Sequence, residues 1–487
     1  MFKPHKILSA LAALPGLAYL TISVVIIAAM ACKTGAIYSF NNINEGWNAF
    51  WASAAWSGAN LYPPVGDLKL DNYPPIWFYL TGAIGHLVGD NIRAGRAIAA
   101  AALLLNGAVI CLIVREIAGT HRAWWLAGAA FIAIFGLFYQ DYAAANDPQL
   151  LASLLMMIAI WLVIRTTGET PLLAFLPSVV LVMIVAGLIK HNIVAAPLSI
   201  ALFFLLSRRP RALIGFVGLS MVAVAIACAA LYLTYGNSFF ASLLLPRPFD
   251  SNVAWEQTKD QLEQYGLLLA VIPFLAFRRD TKARLVLIYA VVALFQGAAL
   301  SGGYRVDVNV FFDLLFCISV GLGVMGAAVL RYVENESRSF GRRWTAAACW
   351  ISIALLPPLI AVPSASDQIT EAFSAVTDDS YAEDLQYIRS MAPGQVVCRD
   401  LALCYWAGQP FNLDLNNLRI VVWAVPELED PVVAQIESCR FSLIELDTEW
   451  TDKTEGPLSD RVRAALASRY EQVRETTFGV YWRPHCG

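Results

Sequence analysis

The run Ile7–Ala31, ILSALAALPGLAYLTISVVIIAAMA, decides the fold. As a helix it would reach past the ~30 Å hydrocarbon core of a bilayer, and it is too long for the apolar part of a signal peptide. Lys3 and Lys6 precede it. Working outward, further apolar runs follow at 97–114, 123–140, 149–164, 172–189, 193–207, 212–235, 263–277, 285–300, 310–330 and 344–363. They predict a polytopic α-helical membrane protein of eleven spans. Repeated helical runs exclude an outer-membrane barrel, whose strands alternate over about ten residues.

The composition agrees. Of 487 residues, 58% are hydrophobic and 15% charged, with net charge −3 and a mean hydropathy of +0.59. Soluble domains carry about 25% charged residues. A soluble enzyme, a nucleic-acid binder and a disordered chain are excluded. Residues 1–363 form the membrane domain. Residues 364–487 lack long apolar runs and read as a small soluble domain. There, helices 381–391, 430–440 and 459–470 precede strands 395–400, 441–446 and 473–482, which suggests a small α/β sheet.

Orientation follows from Lys and Arg. With an inside N-terminus, the inner segments hold twice as many of them as the outer loops. Counting the short run Pro75–Gly89 as a span would put Arg208/Arg209 and Arg278/Arg279 outside. We therefore read it as an interfacial or re-entrant helix, with the C-terminal domain outside. That domain holds Cys398, Cys404, Cys439 and Cys486. An oxidising compartment favours 398–404 and 439–486 among three pairings; buried free thiols are the alternative. There is no Cys-x-x-Cys zinc spacing.

Polar residues at membrane depth are costly and tend to mark function. They gather in the outer loops. The first holds Asn44-Glu45-Gly46-Trp47-Asn48, then Lys69 and Asp71-Asn72-Tyr73-Pro74-Pro75. Glu45 reads as a proton acceptor or metal ligand, or as a helix-terminal carboxylate. The second holds Tyr139-Gln140-Asp141-Tyr142 and Asn146-Asp147-Pro148-Gln149. Asp147 is a second acid, or a helix cap. Lys190-His191-Asn192 puts a cation where a phosphate would be met, or a snorkelling lysine. A late loop reads Ser301-Gly302-Gly303-Tyr304-Arg305-Val306-Asp307-Val308-Asn309. Arg305 suits bidentate phosphate recognition. It is also the natural ion-pair partner for Asp313. Trp47, Trp51 and Trp56 read as sugar-stacking or interface-belt aromatics. No Walker loop, Rossmann fingerprint or nucleophile elbow is present.

An acidic first outer loop, a Tyr-Pro-Pro stretch entering a short helix, and Asp147-Pro148 after the third span resemble the GT-C class. These are membrane glycosyltransferases that use polyprenyl-phosphate sugars. The nearest groups are bacterial relatives of protein O-mannosyltransferases and of lipid A aminoarabinose transferases. The resemblance covers residues 1 to about 315. It implies a bacterial inner-membrane enzyme with a cytoplasmic N-terminus, whose partners are membrane lipids, a polyprenyl-phosphate-linked sugar and a lipid, glycan or protein acceptor. Glu45 and Asp147 take the places of the catalytic acids. Asn44 stands where many relatives carry the first acid of a pair. Asn72-Tyr73-Pro74-Pro75 lacks the lysine of a Lys-Pro-Pro segment, so Lys69 or Lys190, with Arg305, would hold the donor phosphate. Asn44, Trp47, Asn48, Tyr73, His191, Asn192, Tyr304 and Asn309 would line the substrate site. A divalent Mg or Mn ion between Glu45 and Asp147 is also implied, although Asn44 weighs against it. Direct displacement with Glu45 as base would invert the anomeric centre. The soluble domain would cover the donor, recognise the acceptor, or act as a stabilising cap.

A lipid or solute transporter is the competing class. Transporters usually place such groups at mid-membrane on broken helices in two related halves. Here they lie at span ends, with no internal repeat. A polysaccharide ligase would need an arginine-rich late loop, and 236–262 holds only Arg247 and Lys259.

Overall fold

The computed structural model describes all residues except 1–3, 41–43, 120–123, 168–171, 336, 392–394, 447–457 and 487. The Asn41-Asn42-Ile43 part of the first loop therefore lies outside the described residues.

Helix α1 (Pro4–Gly35) opens the membrane region. After it come α2 (Asn44–Ser57), α3 (Ile76–Val88), α4 (Asn91–Ala118), α5 (Trp124–Phe138) and α6 (Gln149–Thr166). The next are α7 (Leu172–Gly187), α8 (Ala195–Leu206), α9 (Pro210–Tyr235), α10 (Asn237–Leu243) and α11 (Ser251–Tyr265). The last are α12 (Val271–Phe277), α13 (Thr281–Leu300), α14 (Phe312–Glu334) and α15 (Phe340–Ser374). Among the described residues, seven helices are long and apolar enough to cross a membrane. The described residues thus make a multi-pass α-helical membrane protein. Helix α14 is apolar and buried along its length, packed by α4, α5, α13 and α15. Helix α9 is almost wholly exposed and apolar, a face suited to lipid.

Three readings from the sequence change. The run 263–277 is a 3-10 segment, Gly266–Ala270, followed by the two-turn α12. At 1.5 Å per residue α12 is far short of a crossing. The boundary drawn after residue 363 falls inside α15, which continues as one helix to Ser374 past Pro357, Pro358 and Pro363. The strand read at 473–482 is a hairpin of two strands, turned at 476–479 where Thr476 N donates to Gly479 O (2.9 Å). The short run after Pro75 is helical as expected, 13 residues long.

Beyond α15 lie α16 (Ser380–Arg389), α17 (Leu401–Trp406), α18 (Leu415–Ala424), α19 (Glu429–Glu437) and a further helix, Asp460–Arg469. They surround a four-stranded sheet in the order β1 (Val396–Cys398), β2 (Leu443–Leu446), β4 (Val480–Pro484), β3 (Tyr470–Glu475). The β1–β2 pair is parallel, with Val396 opposite Leu443, and α17 to α19 make the crossover. The other two pairs are antiparallel. Cys398–Cys404 and Cys439–Cys486 are both joined as disulfides.

This domain does not keep its core to itself. Leu68 and Leu70 of the first outer loop pack among Val397, Leu413, Ile444 and Leu466. Tyr38 and Phe40 likewise join Tyr381, Cys398 and Tyr481. Helix α2 packs directly on α17 of this domain. Gly46 makes this packing possible, because a Cβ there would collide with the backbone of Leu401 and Ala402. Gly46→Val should therefore loosen this docking, at about 1–3 kcal/mol for an overpacked site. Thermal unfolding and limited proteolysis of the purified protein would check it. Unchanged melting and protease resistance would show that α2 and α17 can separate without cost.

Candidate active site

Glu45 lies in the first turn of α2, where the helix dipole favours a carboxylate. It is fully buried against Arg96 of α4, itself fully buried. The pair is bidentate: Arg96 Nε donates to Glu45 Oε1 (2.7 Å) and Nη2 to Oε2 (2.5 Å). Arg96 spends its other donors on the end of α1 and the chain beyond it. Nη1 reaches Lys33 O (2.8 Å) and Ala36 O (2.9 Å), and Nη2 reaches Tyr38 O (2.7 Å). Asn146 completes the knot. Its backbone N donates to Glu45 Oε1 (3.0 Å) and its Nδ2 to Glu45 O (2.9 Å), while Asn48 Nδ2 donates to Asn146 O (2.8 Å). Burial pushes the Glu45 carboxyl up, but Arg96, then Lys33 and the Asn146 N–H, outweigh it and hold the group below the usual carboxylate range.

Beside this knot an open cavity of about 480 Å³ is bounded by both domains. Trp47 and Tyr73 meet edge to face, 5.1 Å between centroids, and form an aromatic wall. Lys190, Arg247 and Arg305 supply cations, and Asp141 and Asp307 supply acids. Lys190 Nζ lies 3.4 Å from Asp147 Oδ1 and 3.4 Å from the Tyr73 hydroxyl. Burial lowers the Lys190 pKa, but Asp147 and Tyr73 outweigh this and raise it, so the lysine is charged. Arg247 has no acid or hydrogen-bond partner among the described residues. The enclosing walls, then Lys190 and Arg247, push His191 down to about 4, so its ring is neutral at pH 7. Burial, then Asp307, pushes the Asp141 carboxyl up, against the pull of Lys33. Asp307 is fully engaged: Oδ1 caps Val308 N (2.7 Å) and Oδ2 accepts from the Tyr142 hydroxyl (2.8 Å).

Several expected site residues stand on this cavity: Asn44, Trp47, Tyr73, Lys190, His191, Asn192, Arg305 and Asn309. Others do not. Glu45, the expected base, is sealed behind Arg96, with both oxygens occupied. Asp147 is buried beneath Lys190, and its Oδ1 also caps Gln149 N (2.8 Å), the capping role that competed with catalysis. Asn48 ties α2 to Asn146 and is off the wall. Lys69 lies over the Phe411 ring (5.9 Å), and Tyr304 under Arg419 (4.9 Å). Asp313 does not pair with Arg305; it is buried in α14 beside Tyr289. Of the two acids expected to flank a metal, Glu45 faces Arg96 through both oxygens, whereas Asp147 faces Lys190 through Oδ1 and its buried Oδ2 has no hydrogen-bond partner among the described residues. Among the described residues no group of three His, Cys, Asp or Glu is arranged for a metal ion.

The sequence reading gave no role to Arg96, Arg247 or Asp141, and it missed Asn416 and Asn417, which reach the cavity from α18. Arg96 had a signal, since a buried acid needs a cation and Arg96 opens the span that follows the first outer loop. Asn416 had none.

The fold is shared with solved structures of membrane glycosyltransferases. A crystal structure of ArnT from Cupriavidus metallidurans bound to undecaprenyl phosphate is similar over 96% of this chain and 97% of that one, at 14% identity and TM-score 0.59. The apo state of the same protein gives 0.61. An Archaeoglobus fulgidus oligosaccharyltransferase tethered to an acceptor peptide matches 94% of this chain and 72% of its own, at 12% identity and TM-score 0.57. No family model and no curated protein matches the sequence.

The buried pair yields a stability prediction. Arg96→Met should destabilise by about 3–5 kcal/mol, because it strands a buried carboxylate. Arg96→Met/Glu45→Met should recover much of that loss. The Glu45 contribution, from a depressed pKa, is present above the ordinary carboxylate value and lost as pH falls through the depressed one. Denaturant unfolding in detergent across pH would check all three, and equal stability of the two variants would contradict the pairing.

Proposed function

We propose that this protein is a glycosyltransferase that moves a sugar from a polyprenyl-phosphate donor to a lipid, glycan or protein acceptor. The reaction would take place at the outer face of a bacterial inner membrane, with the N-terminus cytoplasmic and the C-terminal domain extracytoplasmic. The observation that carries this reading is Arg247. It is a guanidinium on a cavity wall without an acid partner among the described residues, beside the charged Lys190, in a fold whose solved examples include one bound to undecaprenyl phosphate.

Arg247, with Lys190 and Arg305, holds the donor phosphate and stabilises it as it leaves. Trp47 and Tyr73 offer an aromatic face to the sugar ring. The acceptor hydroxyl or amine attacks the anomeric carbon from the side opposite the phosphate, and the centre inverts. The proton goes to Asp141. Asp141 lies on the cavity wall and has the raised pKa suited to a base. Glu45 acts at a remove, by fixing Asn146 and the loop that carries Asp141.

Turnover with a panel of polyprenyl-phosphate sugars tests this, read as released polyprenyl phosphate. Asp141→Asn should lower it about 10²–10⁴-fold with donor binding retained. Because Asp141 must be ionised and its pKa is raised, the rate should fall on the acid side, from a higher pH than an ordinary carboxylate would give. Arg247→Gln should weaken binding of undecaprenyl phosphate about ten-fold or more. No release from any donor, together with carrier-dependent lipid or solute movement in proteoliposomes, would replace the reading by a transporter.

A further inference from the structure

Two cations of the cavity come from loops far apart in sequence that the backbone joins. Arg247 lies between α10 and α11, and Arg305 between α13 and α14. Asp250 N donates to Gly302 O (2.8 Å) and Tyr304 N donates to Pro248 O (2.9 Å), so that Phe249 and Gly303 pair as an antiparallel bridge. Arg247 stands two residues before Phe249, and Arg305 two residues after Gly303. In an antiparallel pair these positions fall at the same end. Both residues line the cavity.

Gly302 lets the two loops close. A Cβ there would stand 2.5 Å from the backbone oxygen of Asp250 and 2.7 Å from the Phe249 ring. Just past the bridge Arg305 takes a left-handed backbone, φ 62°, which a non-glycine residue keeps only where its surroundings impose it. The terminal domain holds the other side of the pair. Leu245 and Tyr304, one from each loop, pack against its core, and Arg419 of α18 lies over the Tyr304 ring (4.9 Å).

Two guanidinium groups at one end of a strand pair repel each other, and an anion that meets both relieves the repulsion. A phosphate has enough oxygens to accept from two arginines at once. Lys190 is different, since Asp147 already matches its charge.

We propose that the Phe249–Gly303 bridge makes Arg247 and Arg305 a single clamp for the phosphate group of a polyprenyl phosphate, with Gly302 as a positioning residue that acts through both arginines. The inference rests on the donor reading above. It adds joint action of two loops, and a part for the terminal domain, through Tyr304, in setting phosphate affinity.

The test measures binding of undecaprenyl phosphate and of undecaprenol, its phosphate-free counterpart, to the full chain in nanodiscs. Arg247→Gln and Arg305→Gln should each weaken undecaprenyl phosphate about ten-fold. Together they should fall well short of the roughly hundred-fold loss that independent contacts would give. Gly302→Ala should weaken undecaprenyl phosphate about five-fold or more and leave undecaprenol within about two-fold, because the loss is of charge-assisted bonds to phosphate. Tyr304→Ala adds no atoms to the buried bridge, carries the same expectation, and decides in its place if Gly302→Ala fails to fold. A multiplicative loss in the double arginine variant overturns the proposal and leaves the donor reading standing. Wild-type affinity for undecaprenyl phosphate in the deciding bridge variant does the same, and so does an equal loss of both lipids. A wild-type protein that binds undecaprenyl phosphate no more tightly than undecaprenol would instead overturn the donor reading, and the clamp with it.

Discussion

The buried pair between Arg96 and Glu45 is the interaction on which the cavity-bearing end of the molecule depends. A guanidinium and a carboxylate removed from water are costly unless their remaining valences are met. Here they are met by parts of the chain that would otherwise end separately: the end of α1 and its continuation through Lys33, Ala36 and Tyr38, the start of α2, the far end of the Tyr139–Asp147 loop through Asn146, and α4 itself. One ion pair fixes the relative position of these elements. The cavity forms beside it because the loop that carries Asn146 also carries Asp141 and Tyr142.

The cavity shows a division of charge that follows from the same constraint. Acids needed for architecture, Glu45 and Asp147, are matched by cations and withdrawn from the wall. The groups facing the space include Asp141, with its raised pKa, and Arg247, with no acid partner among the described residues. Burial decides which role each acid takes. Glu45, with both oxygens used by the protein, has little capacity for a substrate proton, whereas a partly buried carboxylate beside a second acid is shifted toward it.

Much of this was legible in sequence. The apolar runs located most of the helices, because crossing a bilayer demands uninterrupted apolar length. The outer loops disclosed Lys190, Arg305, Trp47 and Tyr73, because charged and amphipathic groups at membrane depth are too costly to be incidental. The sheet elements of the terminal domain were visible except for the hairpin after residue 470, where two short strands and their turn read as one strand. The roles of Glu45 and Asp147 were not legible, since a catalytic carboxylate and a paired one look the same until the partner is known. That partner for Glu45 is 51 residues away.

The sequence by itself determined a polytopic helical membrane protein with a small α/β domain and its polar chemistry gathered in the loops of one face. Its apolar lengths and the positions of its charges suffice for that, because both are set by local transfer energies. Only the tertiary structure decided which acid meets which cation, that Leu68 and Leu70 complete the core of the terminal domain, and that Asn416 and Asn417 reach the same cavity as Asn44 and Trp47. These are long-range pairings chosen by packing and by the need to satisfy buried polar groups, and neither is encoded in local spacing.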